Sequence, residues 1–184
     1  MKRTDLEDIE PDPALPLDLG ILLATWKDGI REWRDNLGSP PPEAVTWQIY
    51  PEGPSIGGIL LHLASCDQFW LQEFAEKATL DRTDPAIAYD LAMDQYIPRW
   101  PSPPAEPIEW YFDILDRARA GVFETISQHP DSLSEHPNGD YASTYRWIVA
   151  HLVQHDSYHG GQAVLLHETW KKFQATPEHA PASP

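Results

Sequence analysis

The residues best suited to chemistry are three histidines in the run His151, His155 and His159, which reads H-x-x-x-H-x-x-x-H. On a helix, residues four apart stack on one face with Cβ atoms about 5–6 Å apart, so two imidazoles can converge on one ion at about 2.0–2.1 Å. Either adjacent pair can chelate in this way. His151 and His159 lie eight residues apart, about 12 Å along the axis, too far to share an ion. A third ligand must therefore come from another helix. His62 is the candidate, since its neighbours Ile59, Leu63, Cys66 and Phe69 place it toward an apolar interior, where an imidazole needs a partner. The remaining His129, His136, His167 and His179 are expected at the surface or in loops.

Other catalytic templates fit poorly. The segment HDSYH over residues 155–159 resembles the helix-borne HExxH of zinc proteases, but Asp156 stands where the Glu base belongs and no familiar downstream ligand follows. There is no GxSxG, no P-loop and no GxGxxG after a strand; the glycine pairs at 57–58 and 160–161 read as sites of close helix packing. Cys66, the single cysteine, can build neither an intramolecular disulfide nor a thiolate-rich metal site. One turn from His62, it either approaches a metal or fills the core as a small apolar residue. Asp67 lies five residues past His62, about 140° round the helix, and is expected to face a neighbouring helix and orient the site from there.

Proline marks out the elements that must position these side chains. The 19 prolines leave four long proline-free windows, at 17–39, 55–84, 108–129 and 138–176, and these are where long helices can run. Each window carries apolar residues at three- and four-residue steps, as in Leu19, Leu23, Trp26, Ile30 and Trp33 of the first. Ser55 suits the start of the second, and Ser143 or Thr144 that of the fourth. No period-two alternation competes. The prediction is an all-α domain over 15–175, a four-helix bundle with long Pro-rich connections, flanked by disordered tails at 1–14 and 176–184. The connection near 80–107 is too long to be structureless and is expected to hold a short helix around 86–94.

A net charge of −16 repels phosphate backbones and anionic lipid, which argues against nucleic acid and membrane surfaces as partners. No stretch of about 18 apolar residues occurs and the N-terminus lacks a secretory signal pattern, so a cytoplasmic location is expected.

The segments IGGILLHLASCDQFW and WIVAHLVQHDSYHGGQAVLL give the chain a resemblance to the DinB/YfiT-like superfamily of small bacterial metal-binding four-helix bundles. The match is in two parts: His62 with Asp67 and Trp70, then His151, His155, His159, Gly161 and Gln162, and it spans roughly residues 15–172. The resemblance implies that His62, His155 and His159 ligate one divalent ion, zinc or nickel, with His151 and Gln162 beside these ligands and not on the ion. It also shows a departure, since relatives frequently carry Arg after the last histidine and this chain has Gly160.

The resemblance implies a metal-dependent thiol S-transferase that joins a small-molecule substrate to a low-molecular-weight thiol such as bacillithiol or mycothiol. The alternatives are a metal-dependent hydrolase and a non-catalytic metal-binding or interaction protein. Relatives are often homodimers. The 8 tryptophans, with Trp47, Trp100 and Trp110 in or beside the connections, either cap the bundle or meet a second copy; a homodimer is expected.

Overall fold

The computed structural model describes residues 8–94, 99–129 and 131–175. In chain order these form α1 (Leu17–Leu37), a one-turn α2 (Pro42–Thr46), α3 (Ile56–Gln68) running on as a π-helical segment (Phe69–Ala75), α4 (Pro85–Ala92), α5 (Ile108–Gln128), strands β1 (Glu135–Asn138) and β2 (Tyr141–Thr144), and α6 (Tyr145–Gln174). The four long helices α1, α3, α5 and α6 make the bundle. α1 lies along α6, while α3 packs against α4, α5 and α6.

Local chemistry sets the boundaries. Ser55 accepts a hydrogen bond from the Gly58 N–H at 3.1 Å, Asp84 caps α4 ahead of Pro85, and Thr144 accepts from the Trp147 N–H at 3.2 Å; each supplies an acceptor to amides that have no partner inside the helix. α1 ends at Gly38, whose φ of +64° is the left-handed conformation glycine adopts without steric cost. α3 is the central helix, with every residue from Ile56 to Ser65 buried, so His62 has no polar face to escape to. Glycine lets the neighbours come close: a Cβ on Gly57 would lie 2.7 Å from the Tyr111 ring and one on Gly160 2.5 Å from the Trp33 ring. Gly161 is different, since nothing lies within 4 Å of where its Cβ would be.

The short helix expected around 86–94 is present as α4. Three features depart from expectation. The second proline-free window is helical only to Ala75, where the helix widens to π geometry and stops. α2 occupies part of the first connection. The third connection holds an antiparallel hairpin, in register Glu135↔Thr144 to Asn138↔Tyr141, closed by Gly139 at φ +62° and Asp140. Four-residue strands are too short to show an alternation. His167 also departs from expectation, because it is buried and its Nδ1 donates to the Leu37 carbonyl at 2.9 Å.

Trp47, Trp100 and Trp110 are each partly buried against the core, so the connections' indoles find cover within the chain. Of the expected tails, residues 1–7 and 176–184, including His179, lie outside the described residues; Pro11 and Asp12 pack beside Gly20 in the first turn of α1. Among the described residues no helix is long and apolar enough to cross a membrane.

Candidate metal centre

α3 and α6 bring His62, His155 and His159 together. Each offers a ring nitrogen, and these atoms all lie within 4.8 Å of one another. Ring centroids are 5.1 Å apart for His62 and His155, 5.0 Å for His62 and His159, and 4.5 Å for His155 and His159. His151 does not join them. Its ring stacks on Trp147 with centroids 5.1 Å apart and planes 2° apart, meets Trp70 edge-on, and stays 6.0 Å from the His155 ring.

The surrounding hydrogen bonds orient two of the three rings. Asp90 Oδ1 lies 2.7 Å from His62 Nδ1, and Ser65 Oγ donates to the other Asp90 oxygen at 3.3 Å. Gln162 Oε1 lies 2.7 Å from His159 Nδ1. Both acceptors favour a proton on Nδ1, which leaves the Nε2 lone pair of each ring free to bind an ion. His155 has no such partner, and its Nδ1 is buried without a hydrogen bond. An orphaned nitrogen in a cluster of neutral imidazoles is what a cation would relieve, and three nitrogen donors suit a borderline ion such as zinc or nickel.

Burial, then the neighbouring imidazoles, pushes His155 down to about 3, and burial with His62 beside it pushes His159 down to about 4. Both rings are therefore neutral in the folded chain at pH 7, as metal ligands must be. The sign for stability follows. A folded-state pKa below the unfolded value near 6.5 means that stability is fully present above pH 6.5 and lost as pH falls toward 4 and 3. In metal-free protein, thermal melts between pH 7 and 4 should show a steeper acid loss for the wild type than for His155→Ala.

Asp67 faces a neighbouring helix, as its offset from His62 requires, but its partner there is not a histidine. It is fully buried and its Oδ2 accepts from Arg119 Nε at 3.2 Å. Arg119 also pairs through Nη2 with Asp156, which accepts from Trp33 Nε1 at 2.9 Å. This cluster ties α3, α5, α6 and α1 together. It also removes the zinc-protease reading, because Asp156 is spent on Arg119 and Trp33. The carboxylate that orients a site histidine is Asp90 on α4, 28 residues beyond His62. Nothing in local spacing points to it. Asp90→Ala should weaken divalent-ion affinity by about 10–100-fold and His151→Ala by no more than that, as read by competition titration with a chromophoric chelator.

Cys66 Sγ sits 3.6 Å from both ring nitrogens of His62, and with His62 and Asp90 it forms a second group of ligand types within reach of one another. Burial, with Asp90 and Asp67 nearby, pushes its thiol well up, so it stands as a protonated thiol. A cavity of about 620 Å³ adjoins the cluster, lined by His62, Cys66 and His155 and by Phe69, Trp70 and Trp100 among others. Arg82 and Glu73, paired with each other, also line it. Its size lies in the ordinary range for small-molecule sites.

Fold and site together define a class, a helical bundle whose second and last long helices set three histidines beside a cavity. The DinB family's sequence profile matches residues 17–169, and the chain belongs to that family. A comparison with curated proteins finds no match.

Proposed function

We propose that this chain holds one divalent ion through His62, His155 and His159 and transfers a low-molecular-weight thiol to, or exchanges it on, a small molecule held in the adjoining cavity. The observation that carries the reading is the cavity itself. A site that only stored an ion would have no use for about 620 Å³ of largely aromatic and aliphatic space beside the ligands. When bound, the ion supplies Lewis acidity, which lowers the pKa of a thiol or water that reaches it.

The chain's residues do the rest. Asp90 and Gln162 hold two imidazoles in the tautomer that leaves Nε2 unprotonated. Phe69, Trp70 and Trp100 exclude water from an apolar substrate body. Two of the carboxylates lining the cavity are already engaged, Asp90 with His62 and Glu73 with Arg82, which leaves neither of them as a base for water. Thiol activation is favoured over hydrolysis because a thiol needs a smaller pKa reduction than water to ionise at neutral pH.

Elemental analysis of protein purified without a metal-affinity tag tests the first part, and one equivalent of zinc or nickel is expected. Metal-loaded protein is then incubated with electrophilic small molecules with and without thiol cosubstrates. Thiol-dependent turnover that His155→Ala abolishes supports the reading. Turnover with water alone replaces it by a hydrolase, and one bound ion with no turnover by a non-catalytic metal-binding protein.

A further inference from the structure

Remote from the histidine cluster, three elements meet where the π-helical segment ends, α5 ends and the hairpin begins. His129, the residue capping α5, lies between two groups. Its Nδ1 is 3.1 Å from Glu76 Oε1, and its Nε2 is 2.8 Å from Ser134 Oγ. That is a hydroxyl on a base and the base on a carboxylate, the order of a nucleophile triad, which is recognised by geometry and roles and not by chain order. With Nδ1–H donated to Glu76, Nε2 carries the lone pair that can take the hydroxyl proton. The hydroxyl has a competing acceptor in the Asp131 carbonyl, at 3.0 Å, but the nitrogen is the nearer.

The arrangement is held firmly. The His129 ring stacks on Tyr145 with centroids 3.7 Å apart and planes 9° apart, and its side chain is 18% exposed. The Ser134 carbonyl accepts the Tyr145 N–H at 2.9 Å, which anchors the serine to the start of α6. His136 Nε2 lies 3.2 Å from the same Ser134 Oγ, a second ring nitrogen on the hydroxyl but farther from it than His129 Nε2. Tyr145 precedes His155 by ten residues, about 15 Å along α6, so the cluster shares no residue with the proposed metal site.

We propose that Ser134, His129 and Glu76 form a second, metal-independent nucleophilic site that accepts small activated esters and phosphonyl halides. Ser134 is half-buried at the surface, which suits compact, reactive acyl donors that need no deep cleft. In the acylation step Ser134 Oγ attacks the carbonyl carbon and its proton passes to His129 Nε2. The bond to the leaving phenolate breaks, the acyl group stays on Oγ, and His129 gives the proton it took to the departing phenolate or to solvent, which restores its Nε2 lone pair. Water then attacks the acyl carbon, giving its proton to His129; the Oγ–acyl bond breaks and the serine is reprotonated. With a fluorophosphonate the first step alone occurs, fluoride leaving as the Oγ–phosphorus bond forms. Glu76 is a positioning residue that keeps the proton on Nδ1.

The test treats the full chain with an alkyl fluorophosphonate and, separately, with p-nitrophenyl acetate, and reads intact mass, peptide mapping and phenolate release. The expected result is one adduct per chain on Ser134, absent in Ser134→Ala and formed roughly 100-fold more slowly in His129→Gln. Glu76→Gln, which keeps an acceptor but drops the charge, should slow labelling and shift its pH profile. Circular dichroism of each variant checks folding, and Ser134→Ala, which removes one oxygen from a surface loop, stands in if His129→Gln does not fold. Chelator treatment and His155→Ala should leave the labelling unchanged, which separates this site from the metal reading. No adduct, an adduct on another residue, or labelling of Ser134 at an unchanged rate in His129→Gln overturns the proposal.

Discussion

His155→Ala should yield folded protein that holds no divalent ion, with affinity reduced well beyond the roughly 10–100-fold that the loss of an outer-shell partner costs. The His155 ring lies 5.1 Å from His62 and 4.5 Å from His159, and its removal leaves two nitrogens on different helices. The fold itself should tolerate the change. His155 Nδ1 is buried without a hydrogen bond, and truncating the ring removes an unsatisfied polar group along with its packing, two effects of opposite sign. Native mass spectrometry and elemental analysis give the stoichiometry, and a thermal melt of the metal-free variant separates lost ligation from lost structure. A full equivalent at wild-type affinity in His155→Ala, together with loss in His151→Ala, would move the ion away from this triad.

The largest effect on stability is expected at Arg119. Its guanidinium, 3% exposed, lies between Asp67 and Asp156, which are 0% and 1% exposed. Replacing it by Met leaves two carboxylates in the core without a cation. Breaking a buried pair by removing one partner costs about 3–5 kcal/mol, which for a chain of this size lowers the melting temperature by roughly 10 °C. The pH dependence carries its own signature. Burial outweighs Arg119 and raises Asp67 from 3.8 to about 6, so its contribution to stability is fully present below pH 3.8 and lost as pH rises through 6. Without Arg119 the carboxyl rises further. The gap between Arg119→Met and wild type should therefore widen from pH 5 to 8, and Asp67→Asn in the same background should narrow it. Melts across that range in metal-free protein read both, and a gap that stays flat with pH would show that lost packing, not charge, is what Arg119→Met costs.

The sequence exposes some of this molecule better than the rest, for physical reasons. The four long helices are legible because proline is excluded from helix interiors and the apolar steps between prolines are regular. The hairpin is not, although Asn138-Gly139 is a turn signal, because strands of four residues carry no period. At the site, the four-residue step from His155 to His159 survives folding unchanged, since one helix holds both. His62 follows from its apolar neighbours. Asp90 could not be found this way, because α4 packs on α3 through a connection whose path no local rule sets. Asp67 shows the converse: its direction from the helix is readable, but its partner, Arg119, depends on where α5 comes to lie. The Ser134, His129 and Glu76 grouping is likewise assembled from three separate element ends and is invisible to spacing.

The contact between Gly160 and Trp33 has a consequence for how this chain can change. Trp33 lies where a Cβ at position 160 would be, 2.5 Å away, and its indole N–H is also committed to Asp156. An arginine cannot simply be placed here. Gly160→Arg would have to displace a buried indole, and a smaller residue at 33 would leave a void and strip Asp156 of a donor. The two positions are thus exchangeable only as a pair, and each single step passes through a less stable protein.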